Sequence, residues 1–87
     1  MKQLILLYGD NCGYCKKAKM LLDRALSTHP EYRTVDIRHV NEQSEEAAQF
    51  CHRLIPAFFC GDTIFFEGNP DMDTVIAVLN FCMGADK

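Results

Sequence analysis

The sequence predicts one α/β domain, spanning residues 1–87, in which strands and helices follow one another in the order βαβαββα. Three observations lead to that fold class. An apolar run of strand length opens the chain, later segments repeat apolar residues at helical spacing, and two aromatic-rich runs flank a Gly-Asp pair. With 87 residues and 48% hydrophobic content, the chain has room for one core, and no linker or internal repeat divides it.

The first two elements have clear boundaries. Residues 3–8 read Gln-Leu-Ile-Leu-Leu-Tyr, a continuous apolar pattern typical of a central strand that is covered on both faces. An apolar stripe at helical spacing follows, formed by Ala18, Leu21, Leu22 and Ala25. Because Pro30 rules out continuation, we expect a helix from about Gly13 to Ser27.

A second strand and a second helix are expected next. Tyr32 to Ile37 is rich in residues that favour strands. From Glu42 to Arg53 the apolar residues again repeat at helical spacing, in a stripe that consists of Ala47, Phe50, Cys51 and Leu54.

A hairpin and a last helix complete the chain. The run IPAFFCGDTIFFEG indicates two antiparallel strands with Gly61 at the first turn position. Gly68, Asn69 and Pro70 then supply a turn glycine, a helix N-cap and a proline at the first helical position. The core-facing stripe of this helix is Met72, Val75, Ile76, Leu79 and Met83. We therefore expect a mixed sheet of four strands flanked by three helices.

Two cysteines, Cys12 and Cys15, stand where the first strand gives way to the first helix. The unpaired N–H groups and the positive dipole end of a helix start stabilise a thiolate, which favours Cys12 as the nucleophile. Cys15 lies one turn further on the same face and can attack a sulfur bonded to Cys12, which makes it the resolving thiol. Between them, Gly13 allows a substrate backbone to approach, and Tyr14 provides an aromatic wall.

Three markers in this order resemble a glutaredoxin: the C-x-x-C after the first strand, Ile55-Pro56 opening a hairpin, and the Gly-Asn-Pro-Asp run of residues 68–71 before the last helix. The resemblance covers nearly the whole chain. It implies a thioredoxin-like fold and an enzyme, a thiol-disulfide oxidoreductase that reduces protein disulfides or glutathione-mixed disulfides. Thioredoxin itself is disfavoured because it usually carries an extra N-terminal strand and helix and a tryptophan, and this chain has no tryptophan.

The same resemblance implies further site residues. In this superfamily the peptide bond before the proline that matches Pro56 is cis, and the backbone of Ile55 then faces the nucleophile and pairs with an extended substrate. The family motif usually reads Thr-Val-Pro, so Leu54 replaces a polar residue here.

The resemblance implies glutathione as the reductant, but the residues expected to bind glutathione differ from the family pattern. Where glutaredoxins commonly carry a lysine before the first cysteine, this chain has Asp10, which would repel the glycyl carboxylate, and Arg53 is the nearest replacement. At the other end of the ligand, Asn69 and Asp71 lie where the family binds the γ-glutamyl group. For Asp71, simple helix capping is an equally good explanation.

Two other functions stay open. The Asn69-Pro70-Asp71 turn also resembles the glutaredoxin-like hydrogen donors of ribonucleotide reductase, which take electrons from a flavoprotein, thioredoxin reductase. The absence of a proline after Cys12 is compatible with a carrier in which two chains and glutathione share an iron–sulfur cluster. The dithiol enzyme is favoured over this carrier because Cys15 is retained where carriers usually have serine.

Composition narrows the partners and the location. A net charge of −3 and the absence of a basic stretch argue against nucleic acid and anionic membranes as partners. The apolar run Leu4 to Leu7 is too short for a membrane span or a signal peptide, so we expect a cytoplasmic location. We also expect a monomer without a bound cofactor. A zinc site would need a second paired spacing of ligands, which is missing. Cys51 and Cys82 are expected in the core, and Cys60 at its edge.

Overall fold

A mixed sheet of four strands lies at the centre of the fold. In the computed structural model, which describes residues 2–84, the strands are β1 (Leu4–Tyr8), β2 (Ile37–Asn41), β3 (Ala57–Cys60) and β4 (Thr63–Glu67). Their order in the sheet is β2-β1-β3-β4. β2 runs parallel to β1, whereas the pairs β1–β3 and β3–β4 are antiparallel. The prediction of a mixed four-stranded sheet is confirmed.

The central strand β1 is buried on both faces, as its unbroken apolar sequence predicts. Leu4 and Leu6 point into the larger core, and Ile5 and Leu7 point into a smaller core on the opposite face. Burial of a side chain of this size contributes about 1.5–3 kcal/mol relative to an exposed position. β1 is therefore a rigid support for the residues that follow it.

Two α-helices cover the larger core: α1 (Gly13–Thr28) and α2 (Met72–Gly84). α1 ends one residue beyond its predicted end and buries the whole predicted stripe of Ala18, Leu21, Leu22 and Ala25. α2 buries Val75, Val78, Leu79 and Cys82. Both helices thus pack on the same face of the sheet. The side chain of Phe58, which belongs to β3, lies in the core between the helices and the sheet.

The predicted helix from Glu42 to Arg53 is wrong. A short 3-10 helix, Glu45–Gln49, occupies its centre, so the described residues contain two α-helices and not three. Ala47 and Phe50 are buried as expected, but Cys51 and Leu54 are exposed. The backbone N–H groups of residues 53 and 54 donate to the carboxylate of Glu67 instead of to carbonyls one turn earlier. A contact distant in sequence therefore outweighs the helical pattern.

The predicted second strand, Tyr32 to Ile37, is also displaced. A 3-10 helix, Pro30–Thr34, takes up its first part, and β2 begins only at Ile37. Tyr32 is buried from this 3-10 helix, and its hydroxyl donates to Asn80 Oδ1 on α2 at 2.8 Å. The apolar residues that predicted a strand are instead buried under the helices.

The start of the last helix differs from its prediction by two residues. α2 begins at Met72, so Pro70 is not its first helical residue and Asn69 does not cap it. Asp71 takes the capping position instead, because its Oδ1 accepts a hydrogen bond from Thr74 N at 2.8 Å. The hairpin prediction is correct, with Gly61 in the turn at a φ of +63°.

The burial of the three cysteines outside the C-x-x-C differs from its prediction. Cys51 is exposed, and Cys60 and Cys82 are both buried. Burial and the neighbouring Cys60 thiol raise the pKa of Cys82, so the Cys82 thiol stays protonated in the core. Of the residues that the structure describes, none belongs to a helix long and apolar enough to cross a membrane.

Candidate redox-active site

The turn between β1 and α1 places the C-x-x-C at the carboxyl-terminal end of the central strand. Gly9 continues the buried strand, and Asn11 adopts a left-handed conformation with a φ of 55°, which asparagine tolerates better than most residues. Cys12 then has extended backbone angles and is the N-cap of α1. The first helical turn thus starts within a few residues of the end of β1.

Cys12 and Cys15 are paired as a disulfide, with their Cα atoms 5.2 Å apart. Cys15 is only 2% exposed, whereas Cys12 is partly accessible from solvent. The backbone N–H of Gly9 donates to Cys15 Sγ at 3.4 Å from the core side. An incoming disulfide can therefore reach Cys12 Sγ first, and Cys15 Sγ only from within the protein.

The backbone around Cys12 favours its anionic form once the disulfide is reduced. The N–H of Cys15 donates to Cys12 Sγ at 3.2 Å, so the sulfur caps the helix. No acidic residue lies in the first turn of α1 to oppose the positive end of its dipole. Both effects stabilise a thiolate, which is the reactive form in disulfide exchange.

The segment before β3 lies against this turn. A Cβ atom added to Gly9 would overlap the side chains of Ile55 and Glu42, so both side chains press on the backbone next to Cys15. The peptide bond between Ile55 and Pro56 is cis, as the resemblance implied, and Pro56 is buried. Ile55 is therefore close to the cysteine pair, and its pairing with a substrate stays a prediction.

The carboxylate of Glu67 holds the same segment from the other side. Its Oε1 accepts hydrogen bonds from the backbone N–H groups of Arg53 at 2.8 Å and Leu54 at 2.9 Å. These two bonds, aided by the charges of Arg53 and His52, hold the pKa of Glu67 below its usual value of 4.5. Glu67 is therefore an anion at neutral pH.

The loop before α2 contacts α1 through a side-chain hydrogen bond. Lys17 Nζ donates to Asn69 Oδ1 at 3.0 Å, which joins the helix that carries the cysteines to the predicted γ-glutamyl site. The hydrogen bonds from Thr74, and then the charge of Lys17, hold the pKa of Asp71 below its usual value of 3.8. Asp71 has the capping role described above, and its carboxylate stays exposed.

The remaining predicted residues lie at the rim. Tyr14 is 53% exposed between the two cysteines, where a substrate can contact its ring. Arg53 is exposed, and its guanidinium forms no ion pair within residues 2–84. Asp10 accepts a hydrogen bond from Asn41 Nδ2 at 3.3 Å.

Sequence reasoning missed two side chains that shape this site. Glu67 reads as an ordinary polar residue at the end of a strand, and Lys17 as one of several solvated lysines. Neither carries a local signal, because each acts on a segment that is distant in sequence. Only the pairing of β3 with β4, which sets Glu67 opposite Ala57, brings the carboxylate beside residues 53 and 54.

Other places in the described part of the chain carry no comparable arrangement. A shallow cavity of about 500 Å³ lies between the end of α1 and the start of β2, and none of the predicted site residues lines it. Within residues 2–84, no three side chains of the types His, Cys, Asp and Glu come together as a metal site would need. The cysteine pair is therefore the candidate for chemistry.

Comparison with known proteins identifies the family. The sequence profile of the glutaredoxin family matches residues 1–65 of this chain, which include both cysteines and the cis proline. No curated protein matches the chain at a significant level. Since the match covers most of the 87 residues, the chain belongs to the glutaredoxin family. Its thioredoxin-like fold and its adjacent cysteine pair fit a dithiol thiol-disulfide oxidoreductase.

Proposed function

We propose that this member of the glutaredoxin family reduces protein disulfides and glutathione-mixed disulfides through Cys12 and Cys15, with glutathione as its reductant. The observation that carries the proposal is the unequal exposure of the two sulfurs at the helix start. Cys12 is accessible and caps α1, whereas Cys15 is buried behind it. That asymmetry suits a nucleophile and a resolving thiol.

With a protein disulfide, the reaction takes two exchanges. The Cys12 thiolate attacks one sulfur of the substrate, forms a mixed disulfide and releases the first substrate thiolate, which takes up a proton. Cys15, as a thiolate, then attacks Cys12 Sγ, and the second substrate thiol leaves. The substrate gains two electrons and two protons, and the protein is left with the Cys12–Cys15 disulfide.

Glutathione restores the dithiol. One glutathione thiolate attacks Cys12 Sγ, so that Cys15 is released and Cys12 carries a glutathionyl group. A second glutathione attacks the glutathionyl sulfur, and glutathione disulfide leaves together with a free Cys12. A glutathionylated protein enters this cycle directly, because Cys12 attacks its glutathionyl sulfur and needs no help from Cys15.

The surroundings of the cysteines support a glutathione site with partial charge complementarity. The Ile55 backbone would pair with the peptide, Asp71 and Asn69 would meet the γ-glutamyl group, and the exposed Arg53 would meet the glycyl carboxylate. Asp10 acts against that carboxylate. We therefore propose a glutathione affinity below that of a site with a complete set of positive charges.

A coupled assay tests this function against the closest alternative. The oxidised protein is recharged either by glutathione with glutathione reductase or by thioredoxin reductase, with reduction of insulin disulfides and of a glutathionylated peptide as the readouts. We expect turnover with glutathione. Efficient recharging by thioredoxin reductase alone would identify a reductase-dependent hydrogen donor of the kind that serves ribonucleotide reductase.

A further inference from the structure

The substrate-binding segment has few contacts of its own. Among residues 2–84, no backbone-to-backbone hydrogen bond involves residues 51–55, which lie between the 3-10 helix and β3. Leu54 is 57% exposed and contributes little packing. Because a free backbone of this kind samples several conformations, something else must fix it.

Residues at the end of β4 form hydrogen bonds that fix the segment on both sides of Ile55. Glu67 Oε1 accepts the N–H groups of Arg53 and Leu54 at 2.8 and 2.9 Å. One residue later, Gly68 N donates to the carbonyl oxygen of Pro56 at 3.0 Å. Three hydrogen bonds from two consecutive residues therefore bracket Ile55, whose backbone is the part that would pair with a substrate.

We propose that Glu67 is a positioning residue, whose carboxylate holds the backbone of residues 53–55 in the conformation that accepts an extended disulfide substrate. The inference rests on the proposed function for the identity of the substrate. It assigns to Glu67 no contact with the reacting sulfurs. Its effect passes through the two N–H groups to Ile55, which lies against Gly9 beside Cys15.

The position of Glu67 separates this role from general stability. It lies at the end of an edge strand, and the segment that it binds is largely exposed. When the carboxylate is removed, water can satisfy the two released N–H groups, so the fold persists while the segment gains freedom. The expected cost therefore falls on substrate binding more than on folding.

The electrostatic surroundings support a permanent anion at this place. Arg53 and His52 are the charged and titratable groups that face Glu67, and both favour its ionised form. On the neighbouring strand β3 its partner is Ala57, which does not titrate. A charged acceptor forms a stronger bond to an amide N–H than a neutral one does, and Glu67 thus suits the task better than glutamine.

NMR titration tests the geometry without an activity assay. In the wild-type protein, the amide protons of Arg53 and Leu54 should titrate together, with an apparent pKa below 4.5, the usual value for glutamate. In Glu67→Gln this common step should disappear. The matched control is Asp62→Asn, which changes the net charge equally in the turn of the same hairpin. Titration of the two amides that persists in Glu67→Gln would overturn the proposal.

Kinetics with a glutathionylated peptide tests the consequence. Relative to wild type, Glu67→Ala should raise KM about three- to tenfold with a much smaller change in kcat, the range expected for loss of hydrogen bonds to an exposed charged group. Glu67→Gln retains an acceptor oxygen and should recover most of this loss, and Asp62→Asn should behave like wild type. An unchanged KM in Glu67→Ala would overturn the proposal. Absence of turnover in the wild type would instead refute the proposed function, and the amide titration would still decide whether Glu67 holds the segment.

Discussion

The two walls of the redox site are held in place by different forces. The first wall, residues 9–15, follows the buried strand β1, and its fixing contacts are backbone N–H groups on the two sulfurs. The second wall, residues 53–56 and 67–71, is fixed by the carboxylates of Glu67 and Asp71, which bond to backbone N–H groups near the surface. One wall depends on the core, and the other on exposed charges.

Under the proposed function, this difference separates the residues that exchange disulfides from those that recognise the substrate. A backbone N–H group is retained in every substitution except one to proline, and it carries no titratable charge, so we expect the cysteine pair to keep its geometry over a wide range of conditions. Surface carboxylates can be replaced without damage to the core, and they lose their charge in acid. The second wall is therefore the part in which substrate preference can change while the disulfide chemistry is retained.

The largest effect should come from the first wall. Cys12→Ser removes the accessible nucleophile and should abolish both insulin reduction and removal of glutathione from a peptide. Cys15→Ser should lose the first activity and retain part of the second, because only the first needs a resolving thiol. The matched control is Cys51→Ser, an exposed cysteine outside the site, which should leave both activities at the wild-type level. Activity of Cys12→Ser equal to that of wild type would contradict the assigned roles.

A smaller effect is expected from the charges of the second wall. Arg53→Ala and Asp71→Asn should each raise the glutathione concentration needed for half-maximal rate, by about three- to tenfold, because each removes one charge-assisted contact at an exposed site. Asparagine retains the helix cap that alanine would lose, so Asp71→Asn isolates the charge. Asp10→Lys should lower the required concentration, since it replaces repulsion of the glycyl carboxylate with attraction.

Steady-state kinetics at constant ionic strength measures these shifts. If Arg53→Ala and Asp71→Asn both match wild type, the second wall does not bind glutathione, and the source of electrons must be sought elsewhere.

The contrast between the walls also explains what sequence alone could predict. β1, α1 and the cysteine pair follow from patterns within a few residues, such as an apolar run, a helical stripe and a helix start next to a strand. These elements appear within one residue of their predicted positions, since β1 begins at Leu4 and α1 ends at Thr28. Local patterns succeed here because the core contacts of these residues repeat with the period of the element.

In the middle of the chain, the predicted and observed elements do not agree. The stripe of Ala47, Phe50, Cys51 and Leu54 suits a helix, yet only its first half packs on the sheet. The helix does not continue through the second half, where the N–H groups of Arg53 and Leu54 bond to Glu67, more than a dozen residues later in the sequence. Propensity is a weak influence that a tertiary contact readily outweighs. The details of the second wall were therefore not predictable without the strand pairing.

As the pH falls, the hydrogen bonds that hold the second wall should weaken before those that hold the first. The pKa values of Glu67 and Asp71 are lowered by the hydrogen bonds that they accept in the fold, from usual values of 4.5 and 3.8. Each therefore contributes stability that is fully present above its usual value and is lost as the pH falls through its lower value in the folded protein. We expect the free energy of unfolding to decrease below about pH 4.5, modestly because both groups are exposed.

Urea unfolding at pH 6 and pH 3 measures this loss. The double variant Glu67→Gln with Asp71→Asn should show a smaller difference between the two pH values than wild type, because it lacks both titrating groups. Asp62→Asn with Asp73→Asn carries the same charge change at two other exposed acidic residues and serves as the control. An equal pH dependence in wild type and in the Glu67 and Asp71 variant would contradict this account of the second wall.

The smallest effect on activity should come from the core beneath both walls. Cys60 at the end of β3 and Cys82 on α2 are buried neighbours, and burial raises the pKa of Cys82, so we expect neither thiol to take part in disulfide exchange. Cys60→Ala and Cys82→Ala should each lower the free energy of unfolding by about 1 kcal/mol, the cost typical of a small buried truncation, and leave kcat unchanged. Cys51→Ala, at an exposed position, should change neither quantity. Denaturant unfolding measures the first effect and the coupled assay the second. A loss of turnover in Cys60→Ala or Cys82→Ala while the protein remains folded would mean that these thiols exchange with the Cys12–Cys15 pair, and that the core is not separate from the chemistry of the first wall.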